Sequence, residues 1–290
     1  MSGDAERTVG IIGGTGFYDI PGIHWEDEVA RETPFGAPSD TYRIGYRGDL
    51  RLIFLPRHGR EHSLLPSEIN YRANIYGMKA LGAEWLLSTS AVGSFREDIP
   101  PRHMVVVDQF VDRTKDGVRH TFFGNGVIAH IGFSHPVCAE LSEHLIARGS
   151  EVTTNLHPGG TYLNIEGPAF STRAESSLYK SWGMDVIGMT GMAEAKLARE
   201  AELCFATLAI VTDFDSWHED LEVVSTSSVL ENFQKAVANA REVVAAALDD
   251  FTLPRECECG SALQDALLTD VEKMAQERQN AFGILLEKYR

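Results

Sequence analysis

Basic residues are scarce in this chain. Lys and Arg number 26 against 42 Asp and Glu, a formal charge of −16 over 290 residues. That imbalance argues against nucleic acid as the main partner, because phosphate backbones are gripped by clustered Lys and Arg. It leaves room for a small anion, which a few Arg and backbone N–H groups can hold on an acidic protein. Long apolar runs are missing as well: none nears the roughly 18 residues that span a bilayer. The opening MSGDAERTVG carries no apolar signal-peptide core. A cytoplasmic protein with no membrane partner is expected. There is no internal repeat, no low-complexity tract and no linker long enough to separate domains. With 43% apolar residues, residues 1–290 are expected to fold as one domain around a sizeable core.

Cysteine is rare too: Cys138, Cys204, Cys257 and Cys259. In a reducing compartment these read as free thiols in the core or at the surface. Cys257-Glu258-Cys259 is a close pair, but no further Cys or His stands near it in sequence, so no metal site is expected. Disulfides stay open for a chain of hyperthermophilic origin. The signatures of metalloproteases, of serine hydrolases with a nucleophile elbow and of Cys–His catalysis are all lacking. The histidines, His58, His62, His103, His130 and His135 among them, show no metal-ligand spacing.

What is present is an alternation of apolar runs and amphipathic stretches. Strands are expected at Thr8–Ile12, Thr41–Tyr46, Leu50–Leu55, Glu84–Thr89, His103–Asp108, Val127–Gly132, Thr161–Ile165, Asp185–Gly188 and Cys204–Val211. Helices are expected at Pro66–Leu81, Pro136–Arg148 closed by Gly149, from the capping box Thr172-x-x-Glu175, at Met192–Ala201, from a second box Ser228-x-x-Glu231 to Leu248, and from about Ala262. The fold class is therefore α/β, a single domain with a mixed central sheet flanked by helices on both faces.

In such sheets ligands bind beyond the carboxyl ends of the strands. Gly13-Gly14-Thr15-Gly16 follows one strand. Asp19 stands where a dinucleotide fingerprint needs Gly, and no Gly-Lys-Ser/Thr of a P-loop follows. The turn reads either as an oxyanion cradle or as a plain tight turn. Arg57-His58 follows another strand and offers a fork and a ring donor for phosphate, or else a solvated basic turn. Ser90-Ala91 adds a hydroxyl and an N–H. Asp213 and Asp215 follow a third strand. On one face they would push their pKa values apart and supply an acid beside a carboxylate, or else they cap a turn in water.

Several segments, in order from Val9 to Leu230, resemble the 5'-methylthioadenosine phosphorylases, in the trimeric branch of the purine nucleoside phosphorylase superfamily. They are Gly10–Gly16, Pro56–Arg60, Asn70–Tyr76, Thr89–Ser94, Asp108–Thr114, Ile165–Glu175 and Thr212–Trp217. The resemblance implies phosphorolysis of a nucleoside to free base and a ribose 1-phosphate, in purine and methionine salvage. It implies no cofactor and no metal, with inorganic phosphate as co-substrate. It places phosphate at Thr15, Arg57, His58, Ser90, Ala91 and Thr190, ribose at Met189, and the purine at Phe170 and Ser171. Asp213 would serve N7 and Asp215 the 6-amino group. The 5' substituent would meet Thr226, Val229, Leu230 and Leu285, although Val229 and Leu230 also read as ordinary core. His130 would come from a neighbouring subunit of a homotrimer. Heat-stable members carry a similar Cys-x-Cys, which implies Cys257–Cys259 and Cys138–Cys204 disulfides.

Two features bear on the base. Gly188-Met189-Thr190-Gly191 is similar to a version found in relatives that prefer methylthioinosine, so a 6-oxopurine nucleoside or methylthioinosine phosphorylase is the alternative. Two carboxylates favour a 6-amino purine, whose N–H groups they accept; a 6-oxo group would face like-signed oxygen. A hydrolase and a non-catalytic nucleoside-binding protein are the remaining readings.

Overall fold

The computed structural model of the chain describes residues 7–14, 16–115, 117–218, 226–274 and 282–290, and within 226–235 it describes only the backbone, Gln234 excepted. Its strands are β1 (Thr8–Gly13), β2 (His24–Val29), β3 (Tyr42–Arg47), β4 (Leu50–Pro56), β5 (Trp85–Ser94), β6 (Met104–Val106), β7 (Gln109–Asp112), β8 (Leu156–Pro158), β9 (Thr161–Asn164), β10 (Val186–Gly188) and β11 (Cys204–Asp213). They form one sheet with the path β2-β3-β4-β1-β5-β10-β9-β7; β11 pairs with β5 and β6, and β6 with β8. The centre is parallel, β4-β1-β5-β11, while β3 runs antiparallel to β4 and β6 antiparallel to β11. The expected mixed sheet is what forms.

Alternation along the central strands decides which face each side chain covers. Ile12, Leu86 and Phe205 enter one apolar cluster with the helices α1 (Tyr71–Ala80) and α4 (Gly191–Glu200). Ile11, Trp85, Leu87, Ala206, Leu208 and Ile210 enter another with α2 (Ala139–Val152) and α5 (Thr226–Leu248). Helices thus cover both faces. The capping box at Thr172 is formed and opens α3 (Arg173–Ser181).

Several boundaries differ from expectation, each for a local reason. The first helix starts at Tyr71, not Pro66, because the Asn70 side chain accepts the Ala73 N–H and so caps the helix there; Pro66 is left in an irregular turn. Gly149 does not end α2. A Cβ there would lie 2.6 Å from Leu156 Cδ2 and 2.9 Å from Val243 Cγ1, so this glycine is a close-packing point for α5 inside the helix. Val127–Gly132 alternates in burial but joins no ladder; Ala129 bridges Leu267 singly. From Ala262 to Met274 there are turns and a short 3₁₀ turn at Val271–Lys273 where an α-helix is expected. α5 begins at Thr226, two residues before the expected capping Ser228.

β5 and β11 matter most for function. Both run on through the polar segments that the sequence places after them: Ser90 to Ser94 lie in β5, and Thr212 and Asp213 in β11. A bulge between Val211 and Asp213 then turns β11 at its end.

Candidate active site

A cavity of about 350 Å³ opens at the carboxyl ends of β1, β4, β5, β10 and β11. Gly14, Arg57, His58, Ser90, Ala91, Phe170, Met189, Thr190, Asp213 and Asp215 all line it. Separate strand ends therefore converge on one space. Thr15 and the side chains of Thr226, Val229 and Leu230 lie outside the described residues. Ser171 does not reach the wall; it is buried, and its carbonyl accepts a hydrogen bond from Ser216 Oγ at 2.8 Å. Leu285 packs in the core beside α1 and α4 and not along the cavity. His130 is exposed and off this chain's own cavity wall, its N–H bonded to the Ala266 carbonyl.

The end of the cavity near β4 is built around Arg57, which is 2% exposed. Its guanidinium meets Glu194 at both oxygens, 2.5 Å from Nε and 3.0 Å from Nη2. Nη1 donates to the Thr89 carbonyl at 2.9 Å and Nη2 to Ser88 Oγ at 2.8 Å. Ser88 Oγ in turn donates to Glu194 at 2.6 Å. Of five guanidinium N–H groups, four are thus engaged among the described residues. The sequence signal for Glu194 is slight: one acid among Gly, Met, Ala and Leu in the first turns of α4.

His58 is neutral. Burial and the neighbouring Arg57 charge push its pKa down to about 4. Its Nδ1 lies 2.8 Å from the Leu64 carbonyl, which can only accept, so the proton sits on Nδ1 and Nε2 carries a lone pair. Ser90 Oγ lies 3.4 Å from Thr190 Oγ1 and 3.3 Å from the Tyr162 hydroxyl, a small group of buried hydroxyls at the start of α4. Thr190 is the N-cap residue of α4 but spends no side-chain hydrogen bond on the cap. Gly188 leaves the room that the Tyr162 hydroxyl fills. Sequence reasoning does not find Tyr162.

The end of the cavity near β11 is acidic. Asp213 Oδ2 lies 2.7 Å from Thr212 Oγ1, and Oδ1 accepts the Asp215 N–H at 2.8 Å. Burial raises its pKa, opposed by those two donors. Asp215 stands in a left-handed conformation, φ 49°, which Asp tolerates and which returns its side chain to the cavity. Burial raises it to about 6, opposed by the Ser176 hydroxyl and the Ser216 N–H. Repulsion from Asp213 is a lesser cause, so desolvation and not mutual repulsion sets this pair apart. Among the described residues, Asp215 Oδ2 is buried with no hydrogen-bond partner, and Ser176 Oγ beside it is likewise unbonded. The Trp217 indole, donating to the Ser94 carbonyl at 2.7 Å, pins the turn to β5.

Between the two ends the wall is apolar: Leu64, Leu65, Pro66, Val92, Ile165, Phe170, Ile187 and Met189. Leu64 to Pro66 come from the irregular segment before α1, which holds Pro66 because the helix starts at Tyr71.

Similarity to known proteins matches this geometry. Residues 8–249 match the model of the phosphorylase superfamily. The chain is 49% identical over 284 residues to the S-methyl-5'-thioadenosine phosphorylase of Geobacter sulfurreducens, covering 98% of this chain and 99% of that one. It is 51% identical over 290 residues to the protein of the same name from Gloeobacter violaceus, covering 98% and 96%. A crystal structure of methylthioadenosine phosphorylase from an antarctic soil metagenomic library superposes with a TM-score of 0.90 at 43% identity, covering 97% of this chain and 100% of that one. The Schistosoma mansoni methylthioadenosine phosphorylase in complex with adenine gives 0.82 at 37% identity, covering 89% and 96%. With a superfamily match over most of its length and relatives near half identity from end to end, this chain belongs to the phosphorylase superfamily and, within it, to the methylthioadenosine phosphorylases.

Proposed function

We propose that the chain cleaves 5'-methylthioadenosine with inorganic phosphate, giving adenine and 5-methylthioribose 1-phosphate, with no cofactor. The observation that carries this is the polarity of one cavity. Two buried carboxyls with raised pKa values stand at one end; hydroxyls, a neutral imidazole and an Arg57 N–H not engaged among the described residues stand at the other.

In the proposed reaction, phosphate sits against Thr15, Arg57, His58, Ser90, Ala91 and Thr190. Ribose lies over Met189, and the purine reaches Asp213 and Asp215 past Phe170, with Ser171 behind it. As the bond from C1' to N9 breaks, the sugar takes on oxocarbenium character and the base gains charge. Asp213, inclined by burial to hold a proton, gives it or shares it with N7. Asp215 Oδ2, lacking a partner, accepts the 6-amino N–H. Phosphate then attacks C1'. The protein supplies position and fixed charge.

A second reading rests on one observation. Asp215, raised to about 6, can carry a proton in mildly acidic solution and would then donate to a 6-oxo group. Methylthioinosine cleavage is therefore expected to gain on methylthioadenosine cleavage as pH falls through 6. Incubation with either nucleoside, with and without phosphate, and identification of the products tests the proposal. Free methylthioribose in place of the 1-phosphate, or equal rates without phosphate, would overturn it.

The 5' group is assigned to the first turns of α5, with Thr226, Val229 and Leu230, and to Leu285. Leu285 is the weakest member, given its place in the core. Burying a methyl-sized apolar group is worth about 0.8 kcal/mol and sulfur adds to it, so about a tenfold preference over adenosine is expected. We assign the chain to a homotrimer, with His130 reaching a neighbour's cavity. In support, Leu65 (46% exposed) and Phe170 (43%) sit at the cavity, and Ile128 (49%) lies two residues from His130, an apolar set that a partner would cover. A cytoplasmic setting fits four free thiols.

A further inference from the structure

The four cysteines, separate in sequence, meet in the fold. Cys204 is the first residue of β11, Cys138 is the N-cap residue of α2, and Cys257 and Cys259 flank the start of a short 3₁₀ turn, Glu258–Ser261. All four Sγ atoms lie within 4.8 Å of one another. Cys257 Sγ is 3.7 Å from that of Cys138 and 3.3 Å from that of Cys204. Neither disulfide expected from the resemblance is formed, and all four thiols are free. The sequence argument against a metal site, that the Cys-x-Cys has no further ligands nearby, fails because β11 and α2 bring the other two from 53 and 119 residues away.

The geometry points to a four-cysteine site for a soft divalent cation, zinc by class. Four thiolates at about 2.3 Å around a tetrahedral ion stand about 3.8 Å apart, and the two separations above lie far closer to that spacing than to the 2.03–2.05 Å of a disulfide. All-sulfur tetrahedral sets select zinc or iron over hard cations. Cys138, Cys204 and Cys259 are buried and Cys257 is half-exposed, which closes the site while leaving one side for entry. A dication on four thiolates keeps two negative charges, and a cation stands ready beside them: Arg199 Nη1 donates to Cys259 Sγ at 3.6 Å. The same guanidinium bonds the His135 carbonyl at 2.5 Å, fixing the chain just before Cys138. Binding balances simply, since each thiol gives up its proton and no electron moves.

The site would be structural. It lies at the amino end of β11, whereas Asp213 and the cavity lie at the carboxyl end. It staples the 254–261 loop to the sheet. The chain beyond that loop delivers Leu263, Val271, Met274, Phe282 and Leu286 to the core around α1 and α4.

The test is metal analysis of the intact protein purified under reducing conditions from zinc-supplemented medium. About one zinc per chain is expected. Replacement by Co²⁺ should give the intense visible bands and near-ultraviolet thiolate charge transfer of tetrahedral sulfur ligation. Cys257→Ser with Cys259→Ser should bind neither ion and melt several degrees lower, with kcat/KM at 25 °C unchanged. Should that variant not fold, the Co²⁺ spectrum of the unaltered protein and zinc release by a thiol-modifying reagent still decide. Two results overturn the site. One is four titratable thiols in protein that takes up neither zinc nor cobalt. The other is fewer than four in denatured, unreduced protein, which would restore the disulfides.

Discussion

Arg57 and Asp215 stand on the walls of one cavity, and the protein treats their charges in opposite ways. Arg57 is fixed before any ligand arrives: Glu194 answers its charge and Ser88 and Thr89 take two more of its donors. Asp215 keeps a buried oxygen without a partner among the described residues and a pKa raised to about 6. The first end is finished with the fold; the second is completed by what binds. A buried ion pair offers little net stabilisation, but losing one member is costly. An unpartnered buried carboxyl costs stability in the free protein and returns it on binding a donor. In the proposed reaction the difference separates positioning from chemistry: Arg57 itself holds geometry, and Asp213 and Asp215 change protonation.

The sharpest way to break this contrast is at the acidic end. Asp213→Asn should cut kcat/KM for methylthioadenosine by about 10²–10⁴-fold, the range for a lost general acid, with little change in melting temperature. A loss under threefold would remove Asp213 from the chemistry. At the other end the effect should fall on stability. Glu194→Gln strands the Arg57 charge and is expected to cost about 3–5 kcal/mol in denaturant unfolding; a cost below about 1 kcal/mol would mean that the pair is not buried as described. Arg57→Ala strands Glu194 in turn. Its rise in phosphate KM should therefore come with a lower melting temperature.

Gly93 offers a finer probe, because it sits under the acidic pair. A Cβ there would lie 2.9 Å from Asp213 Oδ1 and 3.2 Å from Asp215 Cβ. Gly93→Ala should displace the carboxyls and lower kcat/KM about tenfold to 100-fold. Unchanged activity would show that the pair has room to give.

The smallest effect is in pH-dependent stability, where the two ends should oppose each other. Asp215 binds protons more readily folded than unfolded, so its contribution is full below its ordinary pKa near 4 and is lost as pH rises through about 6. His58, held down to about 4, binds protons less readily folded, so its contribution is full above its ordinary pKa near 6.5 and is lost as pH falls toward 4. Between pH 4 and 6 the two slopes partly cancel. Asp215→Asn should leave melting temperature rising more steeply with pH, and His58→Gln should make it rise less or fall. Identical slopes in both variants would refute the opposition.

The central strands and the polar segments at their ends were legible because apolar runs ending in Gly, Arg-His, Ser-Ala or Asp carry a local signal. Glu194 and Tyr162 were not, since their meaning lies in what they touch across the sheet: Glu194 meets a residue 137 positions away. The thiol cluster shows the same limit in stronger form. Spacing rules see ligands that are neighbours in sequence, whereas here the fold does the gathering. The missed helix start at Tyr71 turned on a single Asn70 cap competing with Pro66, and it leaves Pro66 in the irregular segment that lines the cavity.

The lone pair on His58 Nε2 has a calorimetric consequence. At neutral pH the ring is uncharged, with its only proton committed to the Leu64 carbonyl. At the proposed site a phosphate dianion beside it would supply the negative charge that an imidazolium lacks there, so the ring is expected to take up a proton as the anion binds. That proton comes from the buffer. The measured heat of phosphate binding then includes the buffer's own heat of ionisation. Titrations in Tris and in PIPES, at one pH, should differ by the gap between the two buffers' ionisation heats multiplied by the fraction of a proton captured.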